Sequence, residues 1–177
     1  MRIVVGVAGG VAAFKMANVV SRLVQSGYEI DVVLTHSAQQ FIGAATFAAL
    51  AGRPPVSETF DNRFPLGPHI ELVERAELLI IAPATARILA SCALGLADDL
   101  LATLYLARTC PVLMAPAMNN AMWDQPAVQR NAQRLREDGV TLLGPASGWL
   151  SCRQMGIGRM VEPEEIVQAV IHRLPLA

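Results

Sequence analysis

The sequence predicts an α/β fold in which a doubly wound parallel sheet lies between two layers of helices, giving three layers in all. Short, near-continuous apolar runs alternate with segments of helical periodicity along the chain, as in a parallel sheet that is covered on both faces. The first apolar run leads through glycines into a helix, which is how such folds commonly begin. The 177 residues, of which 53% are hydrophobic and 16% charged, suffice for one domain with its own core.

Composition and charge exclude several classes of function. A net charge of −1 with scattered arginines gives no basic surface for nucleic acid. Three widely spaced cysteines argue against disulfides or a zinc site and for a reducing compartment, so we expect the cytoplasm. Apolar runs such as Leu78 to Ala82 are too short to span a membrane, and the chain opens directly into a strand rather than a signal peptide. The high apolar content predicts contacts with other subunits.

The first strand and the first helix enclose a glycine turn. Ile3 to Val7 is a β-branched run, and helical periodicity extends from Val11 to Val24. Gly9 and Gly10 between them let the backbone approach a phosphate, whose charge is favoured by the free N–H groups at a helix start. The glycine spacing differs from G-x-G-x-x-G, so the turn alone does not identify a ligand.

The second strand, Ile30 to Leu34, ends in hydroxyl-bearing residues. A dinucleotide-binding fold would place an acidic residue here to hold the ribose, but Thr35, His36 and Ser37 follow instead. We therefore expect a mononucleotide whose phosphate is met by hydroxyls and amides. The alternative that Thr35 and Ser37 only cap a helix starting near Ala38 remains open.

A predicted helix from Ala38 to Ala51 and an irregular loop from Ser57 to Pro68 lead to His69. Long loops in compact domains are commonly functional or mobile. His69 begins a short helix. A lone histidine is more often a surface or capping group than a catalyst, so its role stays open on the residues alone.

The next strand, Leu78 to Ala82, is followed by a turn that ends at Arg87 and by a helix from Ile88 to Leu94. Asp98 and Asp99 then lie near the first turn of another helix, where the helix dipole favours negative charge. A metal site would need more oxygen ligands nearby than the sequence offers. We interpret the two aspartates as capping residues.

The segment after the apolar run Cys110 to Ala115 is the most distinctive in the chain. This segment, the octapeptide Pro116 to Trp123, places the amide of Asn119 between two thioethers and an indole. The carboxyl end of a buried strand is where ligands bind in doubly wound sheets, although packing and turn formation would also explain these residue types. A helix from Asp124 to Leu135 and a strand from Val140 to Leu143 complete the alternation.

Residues 146–160 are rich in glycine and predict no regular element. They carry Trp149, Cys152 and two arginines, which suggests a flexible flap that closes over a ligand and presents an accessible thiol. The alternative is an Ω-loop whose cysteine is incidental. Glu164 to Leu174 reads as a closing amphipathic helix.

The chain resembles the flavin-dependent cysteine decarboxylases, because His69, the octapeptide and the Cys152 segment follow one another in the order that is found in that family. The resemblance extends from about Ile3 to Pro163. It implies a Rossmann-like flavoprotein fold that binds FMN and assembles as homotrimers with the flavin near subunit contacts. It also implies one FMN-binding domain over residues 1–177, with a flexible substrate flap around residues 146–161.

The resemblance assigns roles to matching positions, and it implies no metal. The implied catalytic residues are His69, Asn119 and Cys152. The implied cofactor-binding residues are Gly9, Gly10, Val11, Thr35, Ser37, Thr85, Ala86, Arg87, Ile88, Ala117 and Met118. The implied substrate-binding residues are Asn119, Met122, Trp149, Ser151 and Met160.

The implied reaction is decarboxylation of the cysteine end of phosphopantothenoylcysteine, giving phosphopantetheine in coenzyme A biosynthesis. Oxidation of the carbon that bears sulfur creates a thioaldehyde, which accepts the electrons released when carbon dioxide leaves. The resulting enethiol is then reduced, with Cys152 as the proton donor. Peptide decarboxylases of the family stop at the enethiol, lack this thiol and usually carry serine in place of Met118, so both residues favour the coenzyme A branch.

Two departures from the family pattern keep alternatives open. Arg87 replaces a usual asparagine beside the flavin, and Arg153-Gln154 replaces a usual Gly-Asp after the flap cysteine. The alternatives are a decarboxylase of another cysteine-terminated substrate and a flavin-binding regulatory subunit that inhibits a phosphatase. Relatives of the second kind usually carry long acidic extensions, which this chain lacks. The bifunctional bacterial form adds a synthetase domain, so we expect a stand-alone decarboxylase or an isolated half.

Overall fold

Five parallel strands form the central sheet of the computed structural model, which describes residues 1–176. Their order across the sheet is β2-β1-β3-β4-β5. A separate antiparallel pair, β6 and β7, follows them in the chain. The strands are β1 (Arg2–Val7), β2 (Glu29–Leu34), β3 (Leu78–Ala84), β4 (Val112–Pro116), β5 (Thr141–Leu142), β6 (Ala146–Trp149) and β7 (Met155–Arg159).

Helices cover both faces of this sheet. The helices are α1 (Ala13–Gln25), α2 (Ala44–Ala51), α3 (Pro68–Glu74), α4 (Ala86–Leu94), α5 (Leu100–Ala107), α6 (Asn120–Trp123), α7 (Pro126–Glu137) and α8 (Pro163–Arg173). One face packs against α1, α2 and α8, and the other against α3, α4, α5 and α7. Among residues 1–176, no helix combines the length and the apolar character needed to cross a membrane.

Alternating residues of the central strands supply the two cores. In β1, Ile3 and Val5 face the α1 side, whereas Val4 faces the α5 side. Val5 pairs in register with Val32 of β2 and with Ile80 of β3. Because both faces of each strand are buried, the strands can be apolar throughout, as the sequence predicts. The predicted three-layer α/β/α architecture is confirmed.

The strand order determines where ligand-binding loops meet. From β1 the chain crosses to β2 on one side, and β3, β4 and β5 are then added on the other side. The loops after β1 and β3 therefore diverge at a switch point, where open α/β sheets form a crevice at the carboxyl edge.

The predicted helix from Ala38 to Ala51 is wrong as one continuous element. A 3₁₀ turn spans Ala38–Gln40, and α2 begins only at Ala44. Gly43 at the N-cap is extended, with φ −73° and ψ 145°, and this backbone conformation interrupts the helical path. The apolar composition of the segment did not reveal the break.

The prediction that residues 146–160 form no regular element is also wrong. Residues of β6 and β7 pair as a hairpin, with Gly148 opposite Gly156 and Trp149 opposite Met155. We call residues 146–159 the flap hairpin. Strand pairing supplies hydrogen bonds to a glycine-rich backbone, which local propensity does not reveal.

Candidate functional site

A cavity of about 510 Å³ lies at the carboxyl edge of the sheet, beneath the flap hairpin. We call it the main cavity. Its walls come from the loops after β1, β3 and β4 and from the flap hairpin. Of the residues implied by the family resemblance, it brings together Gly9, Gly10, Val11, Thr85, Ala86, Ala117, Met118, Asn119, Met122, Trp149, Ser151 and Met160.

The first residues of α1, Ala13, Phe14 and Lys15, donate their backbone N–H groups to carbonyls of the preceding turn. The amides that remain for a ligand at this cavity are those of the glycine turn before the helix. Ala12 is the N-cap, and no side chain caps the helix. A side chain at Gly9 would collide with Ser37, because its Cβ would lie 2.3 Å from the Ser37 Oγ, whereas a Cβ at Gly10 would meet no atom closer than 3.7 Å. A glycine turn that presents backbone amides at the amino end of a helix favours an anion such as a phosphate.

A second cavity of about 440 Å³ lies at the carboxyl end of β2 and holds the other polar residues implied for the cofactor. Thr35 and Ser37 line it, and their hydroxyl oxygens are 3.2 Å apart. The Thr35 Oγ1 also accepts a hydrogen bond from the Ala38 backbone N–H at 3.2 Å. Thr35 therefore caps the 3₁₀ turn, and its position at a cavity wall is compatible with a ligand contact as well.

The Arg87 guanidinium in the second cavity is neutralised by its neighbours. It forms ion pairs with Asp98 and Asp99. The Asp99 side chain also caps α5, since it accepts from the Ala102 backbone N–H at 2.8 Å. The predicted capping role is confirmed for Asp99. Ile88 lies in the core with its backbone N–H directed to Thr85 Oγ1, and it lines neither cavity.

Asn119 follows β4 and caps α6 with its side-chain oxygen. The Oδ1 accepts from the Ala121 backbone N–H at 2.7 Å. The oxygen is thereby occupied, so the carboxamide nitrogen is the group left to donate to a ligand in the main cavity. An amide that donates without carrying charge can hold a carboxylate while leaving its charge in place.

The flap hairpin sits directly on the octapeptide. The Met118 backbone N–H donates to the Gly158 carbonyl at 2.9 Å. A Cβ at Gly158 would lie 2.3 Å from the Met118 carbonyl oxygen, and one at Gly156 would lie 2.9 Å from the Asn120 Cβ. Two glycines of β7 thus permit a close approach that any side chain would prevent.

Cys152 lies in the turn of the flap hairpin. The turn closes through hydrogen bonds from Leu150 N to Gln154 O and from Arg153 N to Leu150 O, both 2.9 Å. Arg153 adopts φ +62°, a left-handed conformation in which glycine is the usual residue. The side chain of Cys152 is exposed, and Cys152 lines neither cavity, although the neighbouring Ser151 lines the main one.

The three cysteines differ in their chemical availability. Burial raises the pKa of the Cys92 thiol to about 12, and burial also raises the pKa of Cys110. Both remain protonated thiols near neutral pH, whereas Cys152 is exposed to solvent. The predicted accessible thiol in the flap is confirmed.

His69 lines neither of the two cavities. It is the second residue of α3 and is half-buried. Its Nδ1 is buried and has no hydrogen-bond partner among residues 1–176. The structure thus brings Asn119 and the flap together but leaves His69 outside this group.

Two cations at the main cavity escaped the sequence reasoning. Lys15 of α1 and Arg159 of β7 both line it. The Glu162 carboxylate, which lies just behind them, pairs with each. The Lys15 hydrogen bond is the main reason that the pKa of Glu162 falls below its ordinary value. The Glu-Pro-x-Glu pattern at residues 162–165 is a capping signal that could have drawn attention to Glu162.

The donor set gives no reason to invoke a metal. Over the described residues 1–176, no group of three or more His, Cys, Asp or Glu side chains is placed to hold a metal ion. The polar side chains that line the main cavity are instead one carboxamide, two hydroxyls, one indole and two cations, namely those of Asn119, Thr85, Ser151, Trp149, Lys15 and Arg159.

Comparison with solved structures shows the same architecture over nearly the whole chain. The crystal structure of the FMN-dependent cysteine decarboxylase SpaF superimposes with a TM-score of 0.84 and 35% identity, covering 98% of this chain and 97% of that one. A cysteine-to-serine mutant of PPC decarboxylase complexed with pantothenoylaminoethenethiol gives a TM-score of 0.82 and 32% identity, covering 96% and 95%. The fold is therefore the Rossmann-like fold of these flavoproteins.

Curated relatives are similar in sequence as well. The coenzyme A biosynthesis bifunctional protein CoaBC of Mycobacterium tuberculosis is 46% identical over 165 residues, which are 93% of this chain and 39% of that protein. CoaBC of Bacillus subtilis is 44% identical over 163 residues, or 92% and 40%. The chain spans about two fifths of the length of these relatives. The sequence profile of the family described as Flavoprotein matches residues 1–175, and the chain belongs to that family.

Proposed function

We propose that the chain is an FMN-dependent carboxy-lyase that converts phosphopantothenoylcysteine to phosphopantetheine. The observation that carries this proposal is the docking of the cysteine-bearing flap hairpin on the Asn119 octapeptide, over a cavity that also contains the glycine turn before α1. Support comes from the similarity to CoaBC proteins and to a PPC decarboxylase that was solved with an aminoethenethiol compound.

The residues at the main cavity fit FMN. The amides of Gly9, Gly10 and Val11 at the start of α1 would hold the phosphate, and Thr35 and Ser37 would supply hydroxyls from the neighbouring cavity. The apolar wall, with Ala86, Ala117 and Met118, suits a planar ring system. We infer that residues 1–177 form one FMN-binding domain whose substrate flap covers residues 146–161.

When bound, FMN supplies reversible two-electron oxidation at the substrate carbon that bears sulfur. The side chains of this protein bind and move protons around that chemistry. The Asn119 amide nitrogen holds the substrate carboxylate, His69 takes up the thiol proton, and Cys152 donates a proton when the enethiol is reduced. The remaining substrate contacts in this proposal are Met122, Trp149, Ser151 and Met160.

The position of His69 is why the proposal includes an oligomer. In one protomer the imidazole lies outside both cavities, so His69 would act on the main cavity of an adjoining subunit. Exposed apolar side chains such as Phe14, Phe60 and Leu66 provide surface for subunit contacts. The number of subunits follows only from the family resemblance, on which we propose a homotrimer or a multiple of trimers, acting in the cytoplasm.

The proposal is tested by binding and turnover together. Purified protein supplied with FMN is expected to become yellow and to release carbon dioxide from phosphopantothenoylcysteine. Cys152→Ser is expected to stop at the oxidised, decarboxylated intermediate with the flavin left reduced. Cys110→Ser serves as the matched control, because Cys110 is half-buried and lines neither cavity.

Two outcomes would contradict this assignment. Protein that takes up no FMN rules out the flavin chemistry, and full product formation by Cys152→Ser removes Cys152 from the mechanism. A peptide with a carboxyl-terminal cysteine is assayed in parallel, because the similarity to SpaF makes such a substrate the second candidate. Faster turnover of the peptide than of phosphopantothenoylcysteine would favour that candidate.

A further inference from the structure

A cluster of three charged side chains connects the flap hairpin to the body of the protein. The Glu162 Oε1 accepts from the Lys15 Nζ at 3.0 Å and from the Arg159 Nη2 at 2.5 Å. The Lys15 Nζ donates in addition to the Met160 carbonyl at 3.2 Å. One carboxylate oxygen thus links α1, which is part of the core, to the last residue of β7.

Glu162 is itself held in place by the helix that it begins. It is the N-cap of α8, where its own backbone N–H donates to Glu165 Oε1 at 3.0 Å and its backbone carbonyl accepts from the Glu165 N–H at 3.0 Å. The buried residues Ile166 and Val170 fix α8 in the same core as α1. The backbone of Glu162 is therefore held at the start of α8, while its side chain is about half exposed and pairs with Lys15 and Arg159.

Besides this cluster, the flap hairpin contacts the body through the octapeptide and through its buried residues Gly148 and Leu150. A two-stranded hairpin is marginally stable by itself, so its position depends on the contacts that it makes elsewhere. One backbone hydrogen bond, from Met118 N to Gly158 O, fixes β7 to the octapeptide. The outer residues of the hairpin, including Trp149, Cys152 and Met155, are exposed.

We propose that Glu162 is a positioning residue that holds the flap hairpin closed on the main cavity. This inference rests on the proposed function in so far as it concerns catalysis, because the closed hairpin brings the Cys152 turn and Asn119 to one cavity. Without the negative charge, Arg159 loses its partner in the body of the protein and Lys15 keeps only the Met160 carbonyl. The hairpin then opens more often.

Opening of the hairpin is measured by trypsin cleavage after Arg153 in the native, substrate-free protein. Arg153 is exposed in the turn, and a protease needs locally opened chain to cleave it. We expect Glu162→Gln to accelerate this cleavage about fivefold, which corresponds to the loss of a favourable ion pair. The melting temperature is recorded in parallel to separate local opening from global unfolding.

Glu164→Gln is the matched control. Glu164 lies in the first turn of the same helix and pairs on the surface with Arg22, so the variant loses the same charge without touching the flap hairpin. Its cleavage rate after Arg153 is expected to stay at the wild-type value. Equal cleavage rates in Glu162→Gln and Glu164→Gln would overturn the proposal.

A second variant keeps the test decisive if Glu162→Gln weakens α8. Arg159→Met breaks the flap side of the contact and leaves the helix cap and the Lys15 contact intact. We expect it to accelerate cleavage after Arg153 by a similar factor, and the double variant to add nothing further. Additive effects of the two substitutions would show that Glu162 and Arg159 do not act on the hairpin through each other.

The catalytic consequence is measured separately. If the hairpin opens before reduction is complete, Glu162→Gln releases a larger share of enethiol relative to final product than the wild type does, whereas Glu164→Gln does not. If Glu162→Gln is cleaved faster after Arg153 but releases the same ratio of enethiol to final product as the wild type, the catalytic part of the inference is overturned. A wild-type protein without decarboxylase activity would refute the proposed function alone, because the cleavage assay contains no substrate.

Discussion

The carboxamide of Asn119 uses its oxygen and its nitrogen for different purposes. The oxygen caps α6 through the Ala121 backbone N–H, and this bond fixes the orientation of the side chain. The nitrogen is then the group that can meet a carboxylate in the main cavity. A substitution that keeps the capping oxygen of residue 119 and removes its N–H donor therefore separates the structural role of the side chain from its role in binding.

Asn119→Asp makes that separation. Aspartate is as good an N-cap as asparagine, so we expect the melting temperature to change little. A second carboxylate in the cavity would repel that of the substrate, and we expect kcat/KM to fall by about 100-fold or more. Steady-state kinetics and thermal unfolding measure the two effects.

The control for Asn119→Asp is Asn131→Asp, which makes the same chemical change on α7, away from both cavities. It should retain wild-type kinetics. Wild-type turnover by Asn119→Asp would show that the amide nitrogen does not bind the substrate carboxylate.

At the scale of the element, the start of α5 depends on one of two adjacent aspartates. Asp99 is the N-cap, whereas Asp98 contributes only an exposed ion pair with Arg87. Losing an N-cap side chain typically costs about 1 kcal/mol of stability, and an exposed ion pair contributes less. The two residues thus form a natural pair for comparison.

We expect Asp99→Ala to lower the melting temperature by about 2–4 °C, the shift that corresponds to about 1 kcal/mol in a protein of this size. Asp98→Ala is the matched control and should shift it by less than half as much. Scanning calorimetry measures the melting temperatures of both variants. Equal shifts would mean that the ion pair, and not the cap, stabilises this helix start.

The flap hairpin shows how an element can depend on its surroundings. Its strands contain three glycines and expose Trp149 and Met155, features that do not predict a stable sheet. The glycines are needed because β7 lies against the octapeptide at distances that leave no room for a Cβ. The same residues that argue against a strand in isolation permit its docking in the folded chain.

For the whole molecule, the separation of His69 from the main cavity predicts that the active site is shared between protomers. If His69 of one subunit serves the Asn119 cavity of another, variants of the two residues should complement each other in mixed oligomers. A site formed inside one chain could not be restored in this way.

The experiment co-expresses His69→Asn and Asn119→Asp chains that carry different tags and isolates oligomers containing both. Each variant alone is expected to be inactive. In a trimer that contains both chains, one of the three sites would combine two wild-type residues, so about a third of wild-type activity is expected. Mixed oligomers without activity would contradict a shared site.

Much of this architecture could be read from local patterns. The strands, most of the helices and their alternation follow from hydrophobic periodicity, which each segment carries in its own residues. The glycine turn after β1, Thr85 and the octapeptide all follow buried strands, so a parallel sheet necessarily brings them to one edge. For the same reason the main cavity contains most of the residues that were predicted from family resemblance.

The sequence by itself therefore determined the order and type of most elements of the central sheet and its helices, and the loops after β1, β3 and β4 that line the main cavity. Only the tertiary structure decided that Glu162 joins Lys15, 147 positions away, to Arg159, that residues 146–159 pair as a hairpin, and that His69 does not line the main cavity. The physical reason is the distance along the chain over which each kind of interaction acts. Periodicity and capping act between neighbours in the chain, whereas these contacts exist only after distant segments have packed together.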